Sequence, residues 1–290
     1  MRNNRVCFVG NPNDRMRKDY LRILRWLRFH GRYSLGSSLD EDASRAAMCN
    51  ASGLAKISRE RIWVEVSKII TGNDAVRMMA AFYDLGLAMH CDLPPGDFSS
   101  LEKHVLLFTR NSETPDLKNN AVALMVSLLG TKVFDVAESW KWSNKEKTTA
   151  HFLVKYCHCR EERDFLRLIA HEQESLELVA LLAIFQGYPE LVTRLSTWEV
   201  PIFPINGVDL IEIGIQPCRR FGKLLTELRH EWTNSDYTLS REDLLTLAKI
   251  TISLLLNDIL LYSYAPLLKQ IHNVNLLDKE TKTKTNDRRG

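Results

Sequence analysis

Between Arg15 and Phe29 the apolar residues Tyr20, Ile23, Leu24 and Leu27 recur at i, i+3, i+4 and i+7, the period of one buried face on an α-helix. The stretch predicts a single amphipathic helix. The same period returns in Ile62, Val66, Ile69 and Ile70, with Ser58 as N-cap, Ile57 and Ile62 as a staple and Gly72 as the stop. A helix opened by Asp40 and ending before Gly53 precedes it, and Val76, Met79, Ala80 and Tyr83 make the next stripe before Gly86. Leu93-Pro94-Pro95-Gly96 then breaks the chain.

Beyond that break, helices are predicted over Ser99 to Thr109, Asn119 to Leu129, Thr131 to Lys141, and from a Ser143 to Glu146 capping box through Cys159. Others cover Asp164 to His171, Glu174 to Gln186 and Pro189 to Trp198. After Pro201-Ile202-Phe203-Pro204, helices are predicted at Asn206, from Pro217 to Thr233, and after Ser240. Strand-like alternation of useful length is confined to Arg5 to Gly10, ahead of a turn at Asn11 to Asp14. The fold class is therefore all-α, with one orphan N-terminal strand whose sheet must lie elsewhere. Thr251 to Leu268 carries Asp258 and Pro266, which suits a helix packed on the preceding segment better than a membrane span, and Lys279 to Gly290 reads as disordered.

Composition is that of an ordinary globular chain, with a net charge of +3. The distribution of charge is less ordinary. Arg2, Arg5, Arg15, Arg17, Lys18, Arg22, Arg25, Arg28 and Arg32 stand against only Asp14 and Asp19 before Tyr33. Such a concentration suits a phosphate-bearing partner. It could imitate a mitochondrial presequence, but the arginines belong to the helix and serine enrichment is missing. Cys157-His158-Cys159, with His151 and His171 nearby, lacks the paired spacing of a zinc site, and the six cysteines form no secreted framework. No metal site is expected on this chain.

On the polar side of the first helix, Arg15, Asp19, Arg22, Arg25 and Arg32 share about a third of the circumference. Asp19 and Arg22, three residues apart, can meet one flat ligand edge together. Cytosine and adenine offer an exocyclic amine to the carboxylate and a ring nitrogen to the guanidinium. Guanine and uracil mismatch both.

This stretch resembles the neck of the CCA-adding tRNA nucleotidyltransferases, the class that also holds bacterial poly(A) polymerases. The family motif E-D-x-x-R stands here as Lys18-Asp19-Tyr20-Leu21-Arg22. A second signature, G-L-x-x-I-S-x-E-R-I-W-x-E, runs from Gly53 to Glu65, and Trp198 to Gly214 is similar to the tail segment of the mitochondrial-type enzymes. The resemblance implies nucleotide binding by Asp19, Arg22, Arg15 and Arg25, neck support by Lys18, Glu60 and Arg61, and RNA contacts from Arg28, Arg32, Arg219, Arg220, Lys223 and Arg229. It divides the chain into a strand end and reading helix (1–33), the remainder of the neck with an RNA- and SrmB-binding-like region (34–93), a body (94–200), a tRNA-binding tail (201–250) and an extra helix with a loose terminus (251–290).

Implied partners are tRNA, CTP and ATP, with no membrane and with a homodimer allowed. The implied location is mitochondrial, cytoplasmic or nuclear, without a targeting signal in this chain. The family enzyme uses Mg2+ held by a D-x-D pair, after a G-G-x-x-R-D stretch that binds triphosphate. Gly-Gly is absent, and Asp40-Glu41-Asp42 opens a helix instead of sitting on a strand. The expectation is a chain that starts where the catalytic head ends, binds no cofactor itself and is inactive alone. A non-catalytic helical RNA-binding or protein-interaction module is the alternative, and sequence ahead of Met1 discriminates. Lys18 replaces the family glutamate and is expected to leave Arg22 less fixed, drawing Asp19 toward Lys18 or Arg15.

Overall fold

A computed structural model describes residues 6–34, 36–110, 120–170, 172–199, 201–216 and 221–251. Contacts divide the chain into two compact units, Met1–Trp198 and Glu199–Gly290. All regular structure among the described residues is helical. The expected strand is not formed: residues 6–10 run without a partner strand. The Val6 carbonyl is 3.4 Å from Trp26 Nε1, so the segment is held by a side chain.

The single helix predicted over Arg15 to Phe29 is two. α1 (Pro12–Lys18) starts where a turn was expected, because Asn11 accepts the Asn13 and Asp14 amides and Pro12 sets the first turn. Asp19 is extended (φ −159°, ψ 106°), and α2 (Leu21–Tyr33) begins after it. Asp19 Oδ1 accepts the Leu21 amide at 3.1 Å, as a capping carboxylate does. The apolar spacing survives the break, since Leu21, Ile23, Leu24 and Leu27 are all buried.

α3 (Glu41–Asn50) is capped by the Asp40 side chain on the Ala43 amide, as its sequence predicts. α4 (Arg59–Ile70) begins at Ser58, whose hydroxyl accepts no helix amide although its backbone sits at the cap. Packing carries this helix: Ile62, Trp63, Val66, Ile69 and Ile70 are buried, and α4 lies against α2 and against α5 (Ala75–Asp84). A short α6 (Leu87–His90) leads to the Pro-rich break.

Beyond it come α7 (Phe98–Arg110), α8 (Ala121–Leu129), α9 (Val133–Ser139), α10 (Asn144–Lys155), α11 (Glu162–Ala170), α12 (Leu176–Gln186) and α13 (Leu191–Thr197). α8 is apolar on every side, and Val122 through Leu129 are all buried, which makes it the central element of this part. The capping box at Ser143 and Glu146 is formed, but α10 stops at Lys155, short of Cys159. Trp63 stacks on Trp142 at 4.5 Å between centroids and tilts against Trp140 at 6.1 Å. One core thus runs unbroken from α2 to α13.

The second unit has its own small core of Ile205, Leu210, Leu224, Leu228, Trp232, Leu244, Leu245 and Ala248. α14 (Gly207–Glu212) opens with a capping box between Asn206 and Asp209, α15 spans Phe221–Asn234, and residues 241–251 are helical. Arg241 donates to Asp209 Oδ1 at 2.6 Å. The start predicted for α15 at Pro217, the helix predicted beyond Thr251, and the loose terminus lie outside the described residues.

Two tests follow from this packing. A methyl group at Gly53 would run into the Tyr20 ring, where the two neck signatures touch. Gly53→Ala should therefore destabilise the first unit by about 1–3 kcal/mol, read as a lowered thermal midpoint by circular dichroism. An unchanged midpoint would show that Tyr20 yields freely. In the second unit the Arg241 guanidinium, followed by the Asn206 backbone amide, holds the Asp209 carboxyl below its usual range. A depressed acid contributes stability that is present above its unfolded pKa of about 3.9 and disappears as pH falls through the folded value. Acid should loosen this unit, followed by Trp232 emission, and Asp209→Asn should flatten that loss.

Candidate functional site

The break between α1 and α2 puts Asp19 at a corner, with its carboxylate accepting the Leu21 amide at the start of α2. Arg25 Nη1 lies 3.8 Å from Asp19 Oδ2, and Arg61 Nη2 lies 4.0 Å from Oδ1. The Arg25 and Arg61 side chains are 43% and 53% exposed and the separations are long, so neither pair contributes much to stability. They set direction. Asp19 therefore faces α2 and α4 instead of the expected Lys18 or Arg15. Lys18 and Arg15 are exposed, and no ion pair to either is formed among the described residues.

Beneath this corner sits Glu65, whose side chain is 5% exposed. Arg28 Nη1 donates to Glu65 Oε2 at 2.7 Å, and Arg25 Nε approaches Oε1 at 3.5 Å. A buried carboxylate demands such partners, because leaving it unpaired would carry a desolvation penalty of several kcal/mol. Two of the helix's arginines are thus committed to holding α4. Arg22, partly exposed, has no side-chain ion pair or hydrogen bond among the described residues. It stands one turn before Arg25, beside Asp19, with all of its donors available to a ligand.

Glu60 does not join this group. Its carboxylate pairs with Lys141 Nζ at 3.1 Å, and its own backbone amide, then the Lys141 ammonium, hold it below the usual carboxylate range. It ties α4 to the α9–α10 connection. Arg59 is similarly spoken for, donating to Asp92 at 2.6 Å and to the His90 carbonyl at 3.1 Å. Arg61 is the member of the second signature that reaches the corner.

Among the cations assigned to RNA, Arg28 is the Glu65 partner and Arg32 is exposed at the end of α2. In the second unit Lys223 is exposed, 3.9 Å from Glu227, and Arg229 lies over the Phe203 ring at 5.1 Å. Arg219 and Arg220 lie outside the described residues. No group of three His, Cys, Asp or Glu side chains converges on a metal-sized site among the described residues, and none of their helices is long and apolar enough to cross a membrane. Cys91 is buried and its thiol is pushed up to about 12 by that burial.

Glu65 escaped the sequence assignment of roles. Its signal was present: a carboxylate three residues after Ile62 and four before Ile69, on the buried face of α4, needs a cation from a neighbouring element. Gly53 is explained as well, since only hydrogen fits against Tyr20.

The family described as "Probable RNA and SrmB- binding site of polymerase A" matches residues 38–91, which holds α3, α4 and Glu65. Among known proteins, the mitochondrial CCA tRNA nucleotidyltransferase 1 of Mus musculus is 33% identical over 87% of this chain. The Danio rerio protein of that name is 33% identical over 85%. A CCA-adding enzyme of Lactobacillus delbrueckii is 30% identical over 75%. Of the solved structures, the Bacillus stearothermophilus CCA-adding enzyme in complex with CTP superposes with a TM-score of 0.65 at 22% identity, over 87% of this chain and 66% of that one. The Thermotoga maritima enzyme complexed with tRNA gives 0.51 at 17% identity, over 83% and 63%. These two likenesses concern the fold. Over most of its length the chain is thus similar to CCA-adding tRNA nucleotidyltransferases, and it spans 60% of the mouse enzyme and 59% of the Danio rerio one.

Proposed function

We propose that this chain is the base-selecting and tRNA-holding portion of an enzyme that completes the CCA end of tRNA. The observation that carries the proposal is Arg22, which among the described residues is left without a side-chain partner beside Asp19 while Glu65 engages Arg25 and Arg28. Asp19 accepts the exocyclic amine of cytosine or adenine, and Arg22 donates to the neighbouring ring acceptor. Guanine and uracil present a carbonyl to the carboxylate and an N–H to the guanidinium. A site that leaves buried or fixed polar groups unpaired rejects the wrong ligand strongly.

Support comes from solved relatives named as complexes with CTP, with ATP and with tRNA. Residues 1–33 and 34–93 then form the reading helix and neck, 94–200 the body and 201–250 the tail. In this reading residues 6–10, which have no partner strand among the described residues, join the sheet of a catalytic head. In the same reading that head supplies the carboxylates for Mg2+; among the described residues no three His, Cys, Asp or Glu side chains converge on such a site. The animal relatives named as mitochondrial support a mitochondrial setting. Phosphate contacts fall to Arg32, Lys223 and the other cations named above, and a homodimer is compatible with the same role.

Purified chain should not extend tRNA when given CTP, ATP and magnesium, and template-independent addition free of contaminating enzyme would sink the proposal. It should bind tRNA with an affinity that drops steeply between low and moderate salt, because released counterions drive phosphate binding. Salt-insensitive binding would argue against this electrostatic interface. Joined to a catalytic head from the family, the chain should prefer C and A, and Arg22→Ala should reduce that preference by about tenfold or more. In the same fusion Lys18→Glu should sharpen selectivity by giving Arg22 an acceptor. Equal selectivity with lysine and glutamate would make position 18 a bystander.

A further inference from the structure

The outward face of α2 carries a second set of groups that base selection leaves unused. Phe29 and Tyr33 are 38% and 39% exposed. Their rings stack on each other with centroids 6.1 Å apart and 23° between planes. A guanidinium sits by each ring, Arg28 at 4.6 Å from the Phe29 centroid and Arg32 at 5.4 Å from that of Tyr33. At about 100° per residue, Arg22, Phe29 and Tyr33 fall within about 40° of one line along the helix. Arg25 and Arg32 flank that line on one side, and buried Trp26 and His30 on the other. From Arg22 to Tyr33 the rise is about 16 Å, room for a few stacked nucleotides.

Two partly exposed rings, each with a guanidinium over it, match one chemistry closely. Unpaired RNA offers a π-face for each ring and a phosphate for each free cation. A duplex does not, since its bases already cover one another. A protein partner would have to bury the Arg32 charge and supply an acceptor for it, at a desolvation penalty that a phosphate at the surface avoids. We propose that Phe29 and Tyr33, with Arg32 as the free cation beside them and Arg28 held on Glu65, form a stacking platform for single-stranded RNA, laid end to end with the base-reading pair Asp19 and Arg22. The proposal rests on the nucleic-acid role given above and assigns the strand that this site would hold.

The test uses the full chain and a short ribonucleotide carrying 2-aminopurine, with a blunt hairpin duplex as comparison. Stacking should quench the fluorophore on binding. Phe29→Leu with Tyr33→Leu keeps apolar cover without a π-face, and should weaken single-strand binding by about tenfold or more and abolish the quench. Hairpin affinity should change less than about twofold, because phosphate contacts remain. The exchange Phe29→Tyr with Tyr33→Phe should restore both signals. Unchanged affinity and quench in the leucine variant would overturn the platform while leaving base selection standing. A leucine variant that alters the sedimentation of the chain alone, with RNA binding intact, would overturn it in favour of a protein interface. Parent chain that binds neither RNA would overturn the platform and the wider role together.

Discussion

Glu65 is a carboxylate almost wholly buried, and the packing of α2 on α4 is arranged around that fact. Two guanidinium groups from α2 answer it, at positions one turn apart on the same face of the helix. Because both must reach one carboxylate, α2 can neither roll nor slide against α4 without leaving a charge unpaired, a loss of about 3–5 kcal/mol for a buried pair and less here because Arg25 is partly exposed. The attraction matters less for net stability than for register. Arg22 is one turn earlier on the same helix, so its position is inherited from a salt bridge in which it takes no part.

Asp19 is fixed by a different device. Ending α1 at Lys18 frees one residue to be extended, and that residue caps the next helix with its own side chain. The carboxylate can do this and still serve a ligand, since each oxygen has two acceptor directions. Oδ1 is engaged by Leu21 and neighboured by Arg61; Oδ2 has only a 3.8 Å approach from Arg25. An acceptor so arranged is oriented without being saturated. A continuous helix would have left Asp19 as one more solvated side chain.

The apolar period exposed nearly every helix in advance, because burial repeats at the helical interval whatever the neighbouring elements do. It could not reveal the break at Asp19 and Tyr20, which carries neither glycine nor proline and keeps the stripe in phase on both sides. It also overreached at residues 6–10, where β-prone residues lack any strand to pair with among the described residues. Asp19 and Arg22 were singled out from three-residue spacing and family motif together. Its orientation was not, since Arg25, Arg28 and Arg61 come to the corner only through the packing of α2 on α4. Assigning Glu60 beside Arg61 followed their adjacency in sequence, but adjacent residues on a helix point about 100° apart, and Glu60 turns to Lys141.

α4 is therefore the member through which the body reaches the site. On one face it holds Glu65 under α2; on another Trp63 stacks with Trp142, and its indole donates to Glu146 Oε1 at 2.7 Å. The other oxygen of Glu146 accepts the Ser143 amide and hydroxyl, so one carboxylate joins the start of α10 to α4. Aromatic burial of this kind is indifferent to salt, and the Glu65 pair is shielded from it. Arg32 and Lys223, which meet phosphate in the proposed role, are exposed and feel salt fully. Geometry and affinity are thus separated in one helix: the groups that aim Asp19 and Arg22 persist under conditions that would strip an RNA chain from Arg32.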